Sequence, residues 1–193
     1  MNIHFTASLT GKKIYEKSYL RMVDAMCKVG HRVTEAVLTR SVGKVLNQTR
    51  EENIQIYSKI RSQIEKSDLL VAETSYPSVA VGFEIMMALN LGKQVLALHL
   101  PDKNSPLLEG VNDKHFYYFK YEEINLETVL LNNIKTIEAD MDVRFNFLLS
   151  KELLSRLDWM AKKSGVNKSE YVRQQIEKDM RRNKRYKNNN GDV

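Results

Sequence analysis

Residues 67–84 read SDLLVAETSYPSVAVGFE, and this succession of elements decides the fold. An apolar run at 69–72 precedes a turn that carries Ser and Pro, and Glu84 comes as a helical pattern begins. The order predicts a buried strand, a loop and a helix start. Ligands of open parallel α/β sheets bind outside the carboxyl ends of the strands, although turns of this kind also occur where nothing binds. The candidates to line such a crevice are Ser75, Ser78, Gly82 and Glu84.

Strand and helix patterns alternate through the first 134 residues. Strand patterns occupy 2–7, 31–36, 69–72, 93–100 and 115–120, and helix patterns occupy 13–29, 51–66, 84–91 and 126–134. Residues 38–50 predict a loop or a broken helix. Alternation of this kind requires a parallel sheet with right-handed crossovers. The predicted fold class is α/β, with a flavodoxin-like five-stranded parallel sheet in the order 2-1-3-4-5.

The composition is that of a globular protein. The chain has 193 residues, 42% of them hydrophobic, which suits one domain or one domain with a small appendage. No run of about 18 apolar residues suggests a membrane-spanning helix, and the single cysteine, Cys27, cannot form an internal disulfide. We therefore expect a cytoplasmic protein that does not bind membranes. No residue pattern indicates a cofactor or a metal site.

The positive charge is concentrated at one end of the chain. Residues 1–140 hold 17 basic and 17 acidic side chains, whereas residues 141–193 hold 13 basic and 7 acidic ones. Such asymmetry indicates a domain boundary near residue 140 and a basic appendage for nucleic acid or another anionic surface.

The sequence pattern also changes near this boundary. Residues 135–141 predict a polar linker, and residues 143–149 alternate as a strand does. Ser150 begins a predicted helix that ends before Gly165, and Asn167 begins a second one. The predicted domains are therefore 1–134 and 142–182, with a solvated, disordered basic tail at 183–193.

A strand followed by two helices in about forty residues is too small to form a core alone, which implies dimerisation. The unit at 142–182 resembles the ribbon-helix-helix family of DNA-binding domains. The resemblance implies that strands of two chains pair and enter the major groove with Arg144, Asn146 and Leu148 facing outward. Backbone N–H groups at Lys168 and Ser169 would hold a phosphate.

Leu148 departs from that family's pattern, because a polar residue is usual at this outward position. Its side chain could contact a thymine methyl group. Alternatively, the unit serves only to assemble subunits. The basic tail is open to the same two interpretations, a DNA contact or a solvated run of charge.

Three blocks of the N-terminal part resemble the nucleoside 2-deoxyribosyltransferase family. They are IHFTASLTG at 3–11, HRVTE at 31–35 and SDLLVAETSYPSVAVGFEIMMALNLGKQVLAL at 67–98. The likeness is closest to the branch that cleaves deoxynucleoside monophosphates at the N-glycosidic bond. It implies that Glu84 attacks the anomeric carbon of the sugar and forms a covalent intermediate.

The same resemblance implies a nucleotide pocket. Hydroxyl groups and closely approaching backbone N–H groups would hold the 5′-phosphate. Family members often have tyrosine at the position of His4 and arginine at the position of Thr10. The family completes its pocket from a neighbouring subunit near the fifth strand, where Lys114 is either a phosphate ligand or a turn residue in water. The nucleotide-binding candidates are His4, Ser8, Thr10, Gly11, Ser78, Gly82 and Lys114.

Ile60 is the most serious departure from the family's pattern. The family has an aspartate eight residues before the acid that corresponds to Asp68, and Ile60 stands there. Glu84 would then be less well oriented, which can cost orders of magnitude in rate. Its role stays open between a nucleophile, a ligand-holding group and an ordinary helix-start acid.

Two functions compete at this stage. The leading hypothesis is a homo-oligomeric, ligand-responsive regulator that binds a nucleoside or nucleotide in one domain and DNA in the other. The alternative is an active N-glycosidase or deoxyribosyltransferase whose C-terminal unit forms dimers. An assembly scaffold without a working site is a third possibility.

Overall fold

The chain divides into two units near residue 141. The computed structural model describes residues 1–141 and 148–182, except the side chains of Lys44 and Leu46. The α/β unit is Met1–Met141, and the C-terminal unit is Asp142–Val193. Within the described residues, no helix is both long and apolar enough to cross a membrane.

Five parallel strands form the sheet of the α/β unit. They are β1 (Asn2–Ala7), β2 (Arg32–Glu35), β3 (Leu69–Glu73), β4 (Gln94–His99) and β5 (Phe116–Lys120). Their order is β2-β1-β3-β4-β5, which confirms the prediction. The order reverses between β1 and β3, and a crevice opens at such a point beyond the carboxyl ends of the strands.

Helices cover both faces of the sheet. They are α1 (Lys12–Lys28), α2 (Val42–Leu46), α3 (Arg50–Lys66), α4 (Val79–Asn90), α5 (Pro106–Glu109) and α6 (Leu126–Asp140). Helices α1 and α6 pack on one face, and α3 and α4 pack on the other. Strand β3 is buried on both faces, as its continuous apolar run predicts.

Helix α4 begins five residues earlier than predicted. Ser78 caps it, since its Oγ accepts a hydrogen bond from the backbone N–H of Val81 at 3.4 Å. The apolar residues before Glu84 therefore belong to the first turns of the helix, and Gly82 does not interrupt them. Glu84 lies in the helix interior, so the helix-start interpretation of this acid is wrong.

Helix α6 continues through part of the predicted linker. Leu130, Ile134 and Ile137 form one buried stripe, and Ile137 is 1% exposed. Burial of this last residue favours two more helical turns. The polar sequence at 135–140 therefore belongs to a helix, not to a connector.

The described part of the C-terminal unit is a pair of helices, α7 (Lys151–Lys163) and α8 (Lys168–Arg182). Ser150 caps α7, and Gly165 ends it with φ of +69°, a left-handed conformation that favours glycine. Asn167 caps α8 by accepting a hydrogen bond from Glu170 N at 2.9 Å. Most of the predicted strand at 143–149, and the tail at 183–193, lie outside the described residues.

Candidate active site

A cavity of about 240 Å³ lies at the point where the strand order reverses. Strand β1 and its following loop, the β2–α2 loop, α2, α3 and α4 supply its walls. The lining residues that offer polar groups or form the apolar surface of the cavity include His4, Thr10, Val37, Arg40, Val42, Val45, Ile60, Ser78 and Glu84. The crevice predicted at the carboxyl ends of the strands is therefore present, and four of the predicted site residues line it.

Glu84 enters the cavity from α4 and meets His4 of β1. The Glu84 side chain is 13% exposed, and its Oε2 lies 3.3 Å from His4 Nε2. The other imidazole nitrogen, Nδ1, lies 3.1 Å from Thr34 Oγ1 on β2. Three neighbouring elements thus hold a carboxylate at the wall of the cavity.

Ile60 of α3 lines the same cavity and provides an apolar surface. Of the described lining residues, Glu84 is the only one with a carboxylate. Glycosidases that retain configuration use two carboxyl groups, one as nucleophile and one as general acid. The site can therefore supply the nucleophile, but among the residues that the structure describes its walls hold no second carboxylate for protonation of the leaving group.

Three hydroxyl-bearing residues line the cavity: Thr6, which is buried on β1, and Thr10 and Ser78. Ser78 Oγ already accepts the α4 cap bond, which leaves its own proton free to donate to a ligand. Thr10 is exposed on the loop after β1. Ser78 and Thr10 suit a ligand rich in oxygen acceptors.

Arg40 lines the cavity from the β2–α2 loop, and sequence analysis missed it. Its guanidinium donates to Gln48 Oε1 at 3.3 Å. The Lys12 ammonium donates to the backbone oxygens of Leu38 and Arg40 and so fastens this loop to α1. In the described part of the lining, Arg40 is the only side chain with a permanent positive charge. The feature of the sequence that could have indicated Arg40 as a site residue is its position in a loop that follows a strand.

Ser8 and Gly11 are buried and do not line the cavity. Ser8 is 2% exposed, and its Oγ accepts a hydrogen bond from Gly11 N at 3.1 Å. A Cβ on Gly11 would lie 2.5 Å from Tyr76 Cβ, so this position requires glycine for packing. Both residues shape the loop that carries Thr10, and a phosphate contact stays a prediction for them.

Gly82 and Lys114 lie away from the cavity. Gly82 lines a second cavity of about 490 Å³ beside the β4–α5 loop. Lys114 is exposed just before β5, at the amino ends of the strands, whereas the site lies at their carboxyl ends. Its predicted contribution would need a second copy of the chain and stays a prediction.

The predicted DNA-contacting residues are described only in part. Arg144 and Asn146 lie outside the described residues. Leu148 is fully exposed, Lys168 Nζ pairs with Asp158 Oδ1 at 3.2 Å, and Ser169 is exposed in the first turn of α8. No observation tests their contact with DNA.

A second polar cluster lies inside the α/β unit, around Glu73. The Glu73 carboxylate is fully buried and accepts hydrogen bonds from Ser75 N at 3.0 Å and Tyr121 OH at 3.2 Å. Burial raises the pKa of Glu73, and burial together with the Glu73 charge raises the pKa of Tyr19 and Tyr121. This acid at the end of β3 belongs to the core. Across residues 1–141 and 148–182, no three acidic, His or Cys side chains are grouped as a metal site would require.

Comparison with known proteins identifies the family. No protein-family model matches the sequence. The chain is 30% identical, over 139 residues, to a Nematostella vectensis protein described as a candidate 2′-deoxynucleoside 5′-phosphate N-hydrolase, and the match covers 67% of this chain and 91% of that one. This chain belongs to the 2′-deoxynucleoside 5′-phosphate N-hydrolase family. The family resemblance predicted for the N-terminal part is thereby confirmed.

Two further proteins are similar over a comparable length of the chain. The 5-hydroxymethyl-dUMP N-hydrolase of Rattus norvegicus is 27% identical over 133 residues, which cover 67% of this chain and 82% of the relative. A solved structure of the CMP N-glycosidase of Clostridium botulinum superposes with a TM-score of 0.49 at 18% identity, over 70% of this chain and 99% of that one.

Proposed function

We propose that the α/β unit hydrolyses the N-glycosidic bond of a deoxynucleoside 5′-monophosphate, with Glu84 as the nucleophile. The observation that carries this proposal is the Glu84 carboxylate, held by His4 at the wall of the cavity. Relatives named as deoxynucleotide N-hydrolases favour an enzyme over the ligand-responsive regulator that was our leading hypothesis.

The reaction needs only the substrate and water. A Glu84 oxygen forms a bond to C1′ of the sugar as the C1′–N bond breaks, and the bonding electron pair leaves with the base. Water then adds its hydroxyl group to C1′ and releases Glu84 as a carboxylate, while its remaining proton balances the one taken up by the base. The products are a free base and 2-deoxyribose 5-phosphate.

The walls of the cavity suit the two ends of such a substrate. Val37, Val42, Val45 and Ile60 provide apolar surface against which a flat base can pack. Arg40 provides a positive charge, and the hydroxyls of Thr10 and Ser78 can donate hydrogen bonds. A guanidinium with hydroxyl donors is the chemistry that recognises a phosphate.

Incubation of the full chain with each deoxynucleoside monophosphate tests the proposal. Chromatography should detect free base and deoxyribose phosphate in equal amounts, and the matching deoxynucleosides should react more slowly because they lack the phosphate. Absence of base release from every deoxynucleotide, with a protein shown to be folded by circular dichroism, would contradict the proposal.

Arg40→Gln should raise KM for the deoxynucleoside monophosphate about tenfold or more, because a charge-assisted hydrogen bond to the phosphate is lost. Hydrolysis of the matching deoxynucleoside should change little. Steady-state kinetics on both substrates measure this difference. Arg61→Gln is the matched control, since Arg61 pairs with Glu65 on the exposed face of α3. An equal loss on both substrates would contradict a phosphate contact.

For the C-terminal unit we propose that a second copy of the chain covers α7 and α8. Only Ala161 is buried in the described part of this unit. Two helices that leave their apolar side chains in water do not form a stable core. The uncovered side chains, each 37–56% exposed, are Leu153, Leu154, Met160, Ile176 and Met180. These side chains are hereafter called the α7–α8 apolar face.

Ile176→Lys should convert dimers to monomers, because it places a charge in the α7–α8 apolar face. Gln175→Lys adds the same charge at the adjacent exposed position and should leave the dimer intact. Light scattering of the full chain across a dilution series measures the difference. Equal dimer stability in the two variants would contradict the assignment of this face.

Such a dimer is also what a ribbon-helix-helix arrangement requires, and the excess positive charge after residue 140 supports DNA as its partner. Arg144→Ala and Asn146→Ala should then weaken binding to duplex DNA. Wild-type affinity must fall as salt rises, because phosphate contacts release counterions. Affinity that does not change with salt would exclude this second function.

A further inference from the structure

His4 lies on β1, between β2 and β3, and is 1% exposed. Both nitrogens of its imidazole have polar partners, since Nε2 lies 3.3 Å from Glu84 Oε2 and Nδ1 lies 3.1 Å from Thr34 Oγ1. A buried ring with a partner on each side is restricted in its rotation. Its position relative to Glu84 is therefore set by the sheet.

The direction in which the Thr34 hydroxyl donates its proton distinguishes two arrangements of the neutral His4 ring. The hydroxyl lies 3.4 Å from the carbonyl oxygen of Ile3 and has a single proton to donate. If it donates to His4 Nδ1, Nε2 carries the proton of the neutral ring. If it donates to Ile3, it accepts from Nδ1–H, and an unprotonated Nε2 would then face the Glu84 carboxylate lone pairs. Two sets of lone pairs that face each other repel, so the first arrangement is favoured while Glu84 is a carboxylate, and Nε2–H then points at Glu84.

Building on the proposed hydrolase function, we propose that His4 is the positioning residue of the nucleophile. Its Nε2–H donates a hydrogen bond to Glu84 Oε2, which leaves Oε1 free to attack C1′. In the described residues this is the only side-chain hydrogen bond to Glu84, and the neighbouring Ile60 can offer none. Without His4, the carboxylate would be free to turn away from the sugar.

The distance between the two groups fits this role. At 3.3 Å it is longer than a typical N–H···O bond, and hydrogen bonds of catalytic groups often tighten only when substrate is bound. Glu84 is separated from His4 by 80 positions in the chain, so the pair depends on the packing of α4 against β1.

Three variants of the full chain test the proposal by kinetics. His4→Phe keeps an aromatic ring in the buried position but removes the donor, and it should lower kcat about 100-fold with KM changed less than about threefold. His4→Gln can place an amide N–H near the position of Nε2, and its kcat should be at least about tenfold higher than that of His4→Phe. Thr34→Val, which removes the partner of Nδ1, should lie between wild type and His4→Phe. Thermal unfolding monitors the fold of each.

The proposal is overturned if His4→Phe keeps kcat within about threefold of wild type, or if His4→Gln is no better than His4→Phe. A structural role alone would affect both variants through stability and would not separate kcat from KM.

Long-range 1H–15N NMR spectra provide a readout that needs no activity. The chain has four histidines, and His4 is assigned by its absence in His4→Gln. We expect His4 Nε2, and not Nδ1, to carry the ring proton, whereas an unprotonated Nε2 would overturn the proposal. If wild type releases no base but Nε2 is protonated, the hydrolase function fails and the His4–Glu84 pair stands.

Discussion

Glu84→Gln lowers the rate of base release about 10³-fold or more, because an amide cannot replace the carboxylate as a nucleophile. The substitution keeps the size of the side chain, and its amide oxygen can still accept the bond from His4 Nε2. The fold and the nucleotide affinity should therefore survive. Chromatographic assay of free base measures the rate, and calorimetric titration measures the affinity.

The control for this loss is Glu65→Gln, which removes an exposed carboxylate of α3 that pairs with Arg61. It should retain wild-type activity. Full activity of Glu84→Gln would exclude the nucleophilic role, and loss of nucleotide affinity with the activity would assign Glu84 to ligand binding instead. Mass spectrometry of a slowly turned-over substrate should find the sugar attached to the peptide that contains Glu84.

Gly11→Ala destabilises the α/β unit by about 3 kcal/mol. The added Cβ would lie 2.5 Å from Tyr76 Cβ and 2.8 Å from Tyr19 OH. Tyr76 Cβ is attached directly to the backbone, so the whole β3–α4 loop must move to relieve the clash. That movement displaces Ser78, and the rate of base release should fall with the stability. Urea unfolding followed by circular dichroism measures the free energy.

Gly82→Ala is the matched comparison for Gly11→Ala. Gly82 lies within α4, and a Cβ there meets no atom within 4 Å. Alanine in a helix interior is more favourable than glycine by about 0.5–1 kcal/mol, so this variant should be slightly more stable than wild type. A stable but inactive Gly11→Ala would show that Gly11 approaches the ligand, as the family resemblance implied, and would contradict a role in packing alone.

Errors in the sequence predictions are concentrated where two local signals conflict. The Ser-Tyr-Pro-Ser turn at 75–78 indicated a late start for α4, but Ser78 caps the helix and the apolar residues that follow it continue the helix. The polar residues at 135–140 indicated a linker, but burial of Ile137 extends α6 through them. In both places tertiary packing outweighed the local propensity of a few residues.

Arg40 was missed for a different reason. Nothing in the periodicity of residues 38–50 says which side chain turns toward the sheet. Its approach to the cavity depends on the fold of the β2–α2 loop, which Lys12 of α1 holds through two backbone oxygens. A contact between a loop and a distant helix leaves no regular spacing in the sequence.

The buried β3, the strand order and the location of the crevice follow from the sequence alone. Strand β3 carries the continuous apolar run of a strand covered on both faces, and the alternation of strands and helices with right-handed crossovers favours the doubly wound order and its crevice. The meeting of His4 with Glu84, the approach of Arg40 and the packing role of Gly11 were decided by the tertiary structure. Each depends on atoms that are distant in the chain and come together only when the helices pack on the sheet. Local sequence patterns do not predict such contacts.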